Sequence, residues 1–233
     1  DQDSLTVTGP FATLLDSATD NICLRAVRGY RAAGGVIGPL AITIEKYIPV
    51  GAGLGGGSSD AAAMLRFLDQ WATQRLNPDA LARLAAALGA DVPVCLAGVA
   101  SHMRGTGDIR GPIVPTPHGH IVLSRPDAML STPAVFRAFA ARGQGFTEDA
   151  VAPTGKTAQQ IVATGNDLLA AARDLCPEIG TLIAELQRCS GAEAVQMTGS
   201  GSACFALFPD AATAAAAAAR MTATGHWAVA SSF

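Results

Sequence analysis

The chain has 233 residues, enough for one large domain or two small ones, with 49% hydrophobic residues and only 15% charged ones to supply a core. A net charge of −3 excludes a broad electrostatic footprint for nucleic acid, and no apolar run reaches the roughly 18 residues of a membrane-spanning helix. The five cysteines are odd in number and widely spaced, which excludes a zinc or disulfide framework and predicts reduced thiols in a cytoplasmic protein.

Asp1–Ser4 is acidic and polar and predicts no secretory leader. Asp3–Gly9 alternates Leu5 and Val7 with polar residues and predicts a strand. Asp20-Asn21 opens a helix through about Ala33, with Asp20 or Asn21 the N-cap and Gly34-Gly35 the stop. Ile42–Val50 predicts a second strand. It empties into five glycines, Gly51, Gly53, Gly55, Gly56 and Gly57, and then into Ser58 and Ser59, where a helix is expected to begin. Such glycines let backbone N–H groups point inward, and the helix start adds partial positive charge. Together they predict an anion cradle, most often for phosphate. No Gly-Lys-Ser/Thr closes the loop, so it is not a P-loop. Lys46, one of two lysines in the chain, sits where it could reach a bound anion or lie solvated at a strand edge. A helix follows from Pro78 to Leu88, and Gly89-Ala90 breaks it. Asp91 opens what reads as an extended apolar run, either as a cap or as a group with chemistry to do. Residues 102–117 read as a hairpin or irregular loop, with Arg104 and Arg110 more in keeping with solvent than with a ligand. His120–Ser124 predicts a strand, and Ser131-Thr132-Pro133 opens a helix containing Phe136. Residues 143–157 predict a loop or lid. Asn166-Asp167-Leu168 reads as a cap for the next helix, and 177–190 as an amphipathic helix. Two strands around Thr198–Ser202, an alanine-rich helix over 211–223 and a closing edge strand over 227–233 complete the chain.

The stretch PVGAGLGGGSSDAAA resembles the phosphate-binding motif of the GHMP small-molecule kinases, named for galactokinase, homoserine kinase, mevalonate kinase and phosphomevalonate kinase. DNICLRA at Asp20–Ala26, LGADVPVCLAG at Leu88–Gly98 and MTGSGSACFALF at Met197–Phe208 are similar to further family motifs in order and spacing. The resemblance implies an α+β fold of two lobes, an ATP-binding lobe over 1–117 and a C-terminal ferredoxin-like lobe over 118–233. It implies ATP and Mg²⁺ as cofactors, a small-molecule alcohol as substrate, no nucleic acid or membrane partner, and a monomer or homodimer. Pro49, Val50, Gly51, Ala52, Gly53, Leu54, Gly55, Gly56, Gly57, Ser58 and Ser59 then hold the phosphates. Ser59 is the candidate magnesium contact, Asn21 lies near adenine and Lys46 contacts the nucleotide. Asp91 matches the catalytic base. Gly199, Ser200 and Gly201 match the third glycine motif, with Gly105, Gly107 and Asp108 in a further glycine-acidic element. Thr132 and Phe136 match an element whose aromatic stacks on the cytosine of a cytidine-bearing substrate, with core packing the other reading of Phe136. The family's first motif, with its lysine, and a Gly-Tyr-His segment match nothing here, and Gly29-Tyr30-Arg31 is no substitute. A protein that lacked that lysine would be expected to keep ATP binding better than turnover; a longer protein that carries it upstream of Asp1 would not. A kinase with a homoserine- or mevalonate-type acceptor, or a nucleotide-binding module without catalysis, shares most of these features.

Overall fold

Strand β1 (Ser4–Thr8) pairs in parallel with β2 (Ala41–Glu45), Leu5 opposite Ile42 and Val7 opposite Ile44. Parallel neighbours need a crossover, and α1 (Ile22–Ala32) lies within it. A computed structural model describes residues 2–14, 20–104, 109–113, 118–147 and 157–233. The chain divides into two compact units, Asp1–Val50 with Gly55–Val114, and Gly51–Leu54 with Pro115–Phe233.

In the first unit, α1 packs with α2 (Gly56–Trp71) and α3 (Pro78–Leu88), and α4 (Val92–Ala97) packs with α2 and α3. Their shared core includes Val27, Tyr30, Leu65, Leu68, Leu88 and Val92. Asn21 caps α1 by accepting from the Cys23 amide at 2.9 Å, and Asn77 caps α3 by accepting from the Ala80 amide at 2.8 Å. Ala61 and Ala62 on α2 are fully buried, so the small residues after the glycine stretch serve close helix packing. An antiparallel hairpin, β3 (Ser101–Arg104) with β4 (Ile109–Ile113), ends the unit.

The second unit is built on an antiparallel sheet of order β6-β7-β5-β8, with β5 His120–Arg125, β6 Ala194–Met197, β7 Cys204–Phe208 and β8 Trp227–Ser232. Strand alternation divides β7 between two clusters. Cys204, Ala206 and Phe208 join the main core with residues of α5 (Thr132–Ala141), α7 (Leu169–Leu175), α8 (Glu178–Gln187) and α9 (Ala211–Ala223). Phe205 and Leu207 pack instead with α6 (Ala158–Val162). On α8 the buried stripe is Ile179, Leu182 and Leu186. The alanine run of α9 buries Ala214, Ala217 and Ala218.

Three sequence expectations are corrected. The strand feeding the glycines stops at Glu45, and Tyr47 and Ile48 beyond it are 63% and 38% exposed. A run of β-formers without a pairing partner does not make a strand. The helix after the glycines starts at Gly56, not at the serines. Asp91 opens the helix α4 rather than an extended run, because Pro93 falls in a first turn, where its missing N–H costs nothing. Of the expected loop over 143–157, residues 148–156 lie outside the described residues.

Candidate active site

The glycine stretch is shaped by residues in left-handed conformations. Gly51, Gly53 and Gly55 have φ of 68°, 73° and 64°, a region that side chains make costly. At Gly53 sterics add to this: a Cβ would stand 2.7 Å from the Gly201 carbonyl oxygen and 2.9 Å from that of Thr198. The third glycine motif therefore lies against the segment Gly51–Leu54. Ala203 donates its amide to the Ala52 carbonyl at 3.0 Å, and the Thr198 hydroxyl donates to the Gly53 carbonyl at 3.4 Å. The turn over Thr198–Ser202 is itself tied down. Ser200 Oγ and Thr132 Oγ1 are 2.7 Å apart, Ser202 donates to the Ala128 carbonyl at 3.0 Å, and Asn166 donates to the carbonyls of Met197 and Gly199.

In the first unit Gly55 occupies the N-cap position of α2 and offers no side-chain acceptor. The amides of that first turn, which carry Gly56, Gly57 and Ser58, are thus arranged for an acceptor from outside the helix. Lys46 is not a solvated edge residue. It is 7% exposed, and its Nζ pairs with Asp60 Oδ2 at 3.3 Å. A Cβ on Gly56 would lie 3.2 Å from that Nζ, so glycine here admits the ammonium to the helix start. A cation beside the positive end of a helix is electrostatically costly, and Asp60 offsets part of that cost. Cys23 lies in the same neighbourhood. Burial, and then the Asp60 charge, push its thiol up to about 11, while Lys46 pulls the other way. The starts of α1 and α2 lie together, since a Cβ on Gly57 would sit 4.0 Å from Ile22 Cγ2. Asn21, whose Oδ1 is occupied as a cap, belongs to this corner.

Ser59 Oγ lies 3.7 Å from Cys95 Sγ, and Arg66 donates to the Cys95 carbonyl at 2.7 Å, so α4 packs along α2. Asp91 stands at the N-terminal end of α4, one turn before Cys95, and is exposed. Its carboxylate makes no capping bond, so the structure does not support the cap reading.

In the second unit Thr132 begins α5 and Phe136 follows one turn later. Phe136 is 45% exposed, which overturns core packing for this ring; Phe139, 5% exposed, is the core aromatic of the helix. Phe146 stands with its ring centroid 6.4 Å from Phe136 and 4.5 Å from Phe139. The next residue, Thr147, is held by Asp167, whose carboxylate accepts from its amide at 2.8 Å and its hydroxyl at 2.7 Å.

Gly105, Gly107 and Asp108, and the side chains of His102, Arg104 and Arg110, lie outside the described residues. Sequence reasoning missed Asp60 as the partner of Lys46, Cys95 beside Ser59, Phe146 beside Phe136, and the second half of Asn166. Only Asp60, directly after Ser59, carried a positional signal. The others depend on packing between distant segments.

The description "GHMP kinases N terminal domain" matches residues 21–99, and "GHMP kinases C terminal" matches residues 150–226. The 4-diphosphocytidyl-2-C-methyl-D-erythritol kinase of Paracoccus denitrificans (strain Pd 1222) is 44% identical over 236 residues, spanning 98% of this chain and 79% of that protein. That of Granulibacter bethesdensis is 40% identical, spanning 91% of this chain and 72% of that protein. A crystal structure of a 4-(cytidine 5'-diphospho)-2C-methyl-D-erythritol kinase superposes with a TM-score of 0.78 at 31% identity, covering 100% of this chain and 82% of that one.

Proposed function

The chain belongs to the GHMP kinases, and from that membership we propose that it transfers the γ-phosphoryl group of ATP to the 2-hydroxyl of 4-diphosphocytidyl-2-C-methyl-D-erythritol, a step of non-mevalonate isoprenoid precursor synthesis. The observation that carries the phosphoryl-transfer half is the glycine stretch, with three left-handed glycines leading into a helix whose cap residue has no side chain. The acceptor rests on the 44% identity to a kinase named for that substrate.

Phosphoryl transfer needs positioning and charge neutralisation more than covalent help from the protein. Backbone donors of Pro49–Ser59 receive the β- and γ-phosphates, and the Lys46 ammonium adds positive charge beside Gly56. Asn21 lies toward the adenine. Thr132 and the exposed ring of Phe136 receive the cytidine end of the acceptor. Asp91 takes the proton of the 2-hydroxyl as that oxygen forms its bond to the γ-phosphorus and the bridging β,γ P–O bond breaks, leaving ADP.

Among the described residues no group of three His, Cys, Asp or Glu side chains could hold a metal ion. Mg²⁺ keeps waters and takes phosphate oxygens with one or two protein oxygens. The Ser59 hydroxyl would supply one such oxygen, and the ion would supply neutralisation of phosphate charge. No helix among the described residues is long and apolar enough to cross a membrane.

ADP release with 4-diphosphocytidyl-2-C-methyl-D-erythritol tests the reading when the natural full-length protein is compared with its Asp91→Asn variant. Turnover that falls about a hundredfold in the variant is expected for loss of a positioned base. ATP binding without turnover in the unaltered protein sinks the acceptor assignment.

A further inference from the structure

Asn166 reads from the sequence as a helix cap, and one end of its amide does that work. Oδ1 accepts from the Leu168 amide at 3.0 Å, just before α7. The other end does something that a cap does not require. Nδ2 donates to the Met197 carbonyl at 3.0 Å and to the Gly199 carbonyl at 2.9 Å. The orientation of the amide is fixed by its partners, one N–H on the oxygen side and two carbonyls on the nitrogen side.

Those two carbonyls flank Thr198. Thr198 is the residue that meets the glycine stretch twice, through its hydroxyl on the Gly53 carbonyl and through its own carbonyl against Gly53. The turn has little stiffness of its own. Gly199 and Gly201 both sit at positive φ, 53° and 84°, where glycine's backbone freedom must be removed by outside contacts. Its internal ties are the Gly201 amide to the Thr198 carbonyl and the Thr198 amide to the Ala203 carbonyl, each at 3.0 Å. Of the side chains that reach it, Asn166 alone grips the backbone on both sides of Thr198 among the described residues.

We propose that Asn166 is a positioning residue for the nucleotide: by holding the Met197 and Gly199 carbonyls it fixes the turn that keeps Gly51–Leu54 in its phosphate-receiving shape. The inference rests on the ATP-binding role proposed above for that segment.

Two variants test it. Asn166→Asp keeps the acceptor for Leu168 and removes both N–H donors. Asn166→Ser keeps a shorter acceptor without setting a carboxylate against two carbonyls. The dissociation constant for ATP is measured by titration without acceptor, and the KM for the cytidyl acceptor by ADP release. In both variants the ATP constant is expected to rise about tenfold, the loss of roughly two neutral hydrogen bonds only partly relayed to the loop, while the acceptor KM stays within about twofold. Unchanged ATP affinity in both variants overturns the proposal and leaves Asn166 a cap. Equal rises for ATP and acceptor overturn it too, as does loss of folding in both, because the side chain then serves the fold in general. If the unaltered protein binds ATP but does not phosphorylate the cytidyl acceptor, the proposed acceptor fails, and the ATP titration still decides the role of Asn166.

Discussion

Gly53 shows how a left-handed backbone and a close approach of two carbonyls meet in one residue. Its φ of 73° and the two carbonyl oxygens within 3 Å of a hypothetical Cβ make two separate demands for glycine. Gly53→Ala is expected to cost about 1–2 kcal/mol from the left-handed conformation, with steric displacement of the Thr198–Ser202 turn added to it. The expected outcome is a lower melting temperature together with at least a tenfold weaker ATP affinity, read by thermal unfolding and nucleotide titration. A variant that loses stability but binds ATP as before would separate the turn from the phosphate site. Lys46 and Asp60 carry a second lesson at this scale. The sequence left Lys46 open between solvent and ligand, and burial settles only that solvent is wrong. The ammonium beside the start of α2 is a charge whose local cost an anionic ligand would relieve.

Among the elements, α5 and the short segment behind it are the most instructive. The helix turns Val135 and Phe139 into the core and leaves Phe136 on the outside. Val135 and Phe139, spaced i, i+4, share one face of the helix, and Phe136, one residue on from Val135 and so about 100° around the axis, falls outside that buried face. Phe146 meets both rings, and the two Asp167 bonds to Thr147 pin the segment that carries it. Thr147→Val removes one of those bonds and keeps the side-chain shape. It is expected to raise the KM for the cytidyl acceptor by about three- to tenfold, at about 1 kcal/mol per lost hydrogen bond, and to leave the KM for ATP unaltered. Steady-state kinetics with each substrate varied in turn checks this, and an equal effect on both would argue against a local role for Phe146. The sequence of α4 suggests an extended run because Val92 and Val94 are β-branched and favour strands. Its packing on α2, with Arg66 on the Cys95 carbonyl, overrides that weak preference.

At the scale of the whole molecule, acid sensitivity follows from carboxylates held below their ordinary values. Asp3 is lowered chiefly by its hydrogen bond with Arg31, which grips it through two nitrogens at 2.6 and 3.0 Å, and further by the Leu40 amide. This clamp joins β1 to the end of α1. Glu178 at the start of α8 is lowered chiefly by its own backbone N–H, and Asp210 by the Thr213 amide. Each group is more acidic folded than unfolded. Each therefore contributes stability that is present above the unfolded value, about 3.9 for aspartate and 4.3 for glutamate, and is lost as pH falls through and below it. Melting temperature is expected to decline on that acid side, and Asp3→Asn to flatten part of the decline, as measured by thermal unfolding across pH; an unchanged acid limb would assign the sensitivity elsewhere. Much of the fold is legible in the sequence. Alternation marks β1, short apolar runs flanking a glycine turn mark β6 and β7, Asp20-Asn21 and Asn77-Pro78 mark helix starts, and the stripe of Ile179, Leu182 and Leu186 marks α8, because each signal lies within a few neighbouring residues. The glycine motif, too, is visible in sequence, since its chemistry depends on residues in immediate succession. The packing of the Thr198–Ser202 turn on Gly51–Leu54 is what the family resemblance implies, whereas three long-range matters come from the tertiary structure: Lys46 is buried against Asp60, Phe136 faces outward beside Phe146, and Asn166 reaches past its helix to a glycine turn. Those outcomes turn on which distant segments exclude water together, and no local pattern of residue types encodes that choice.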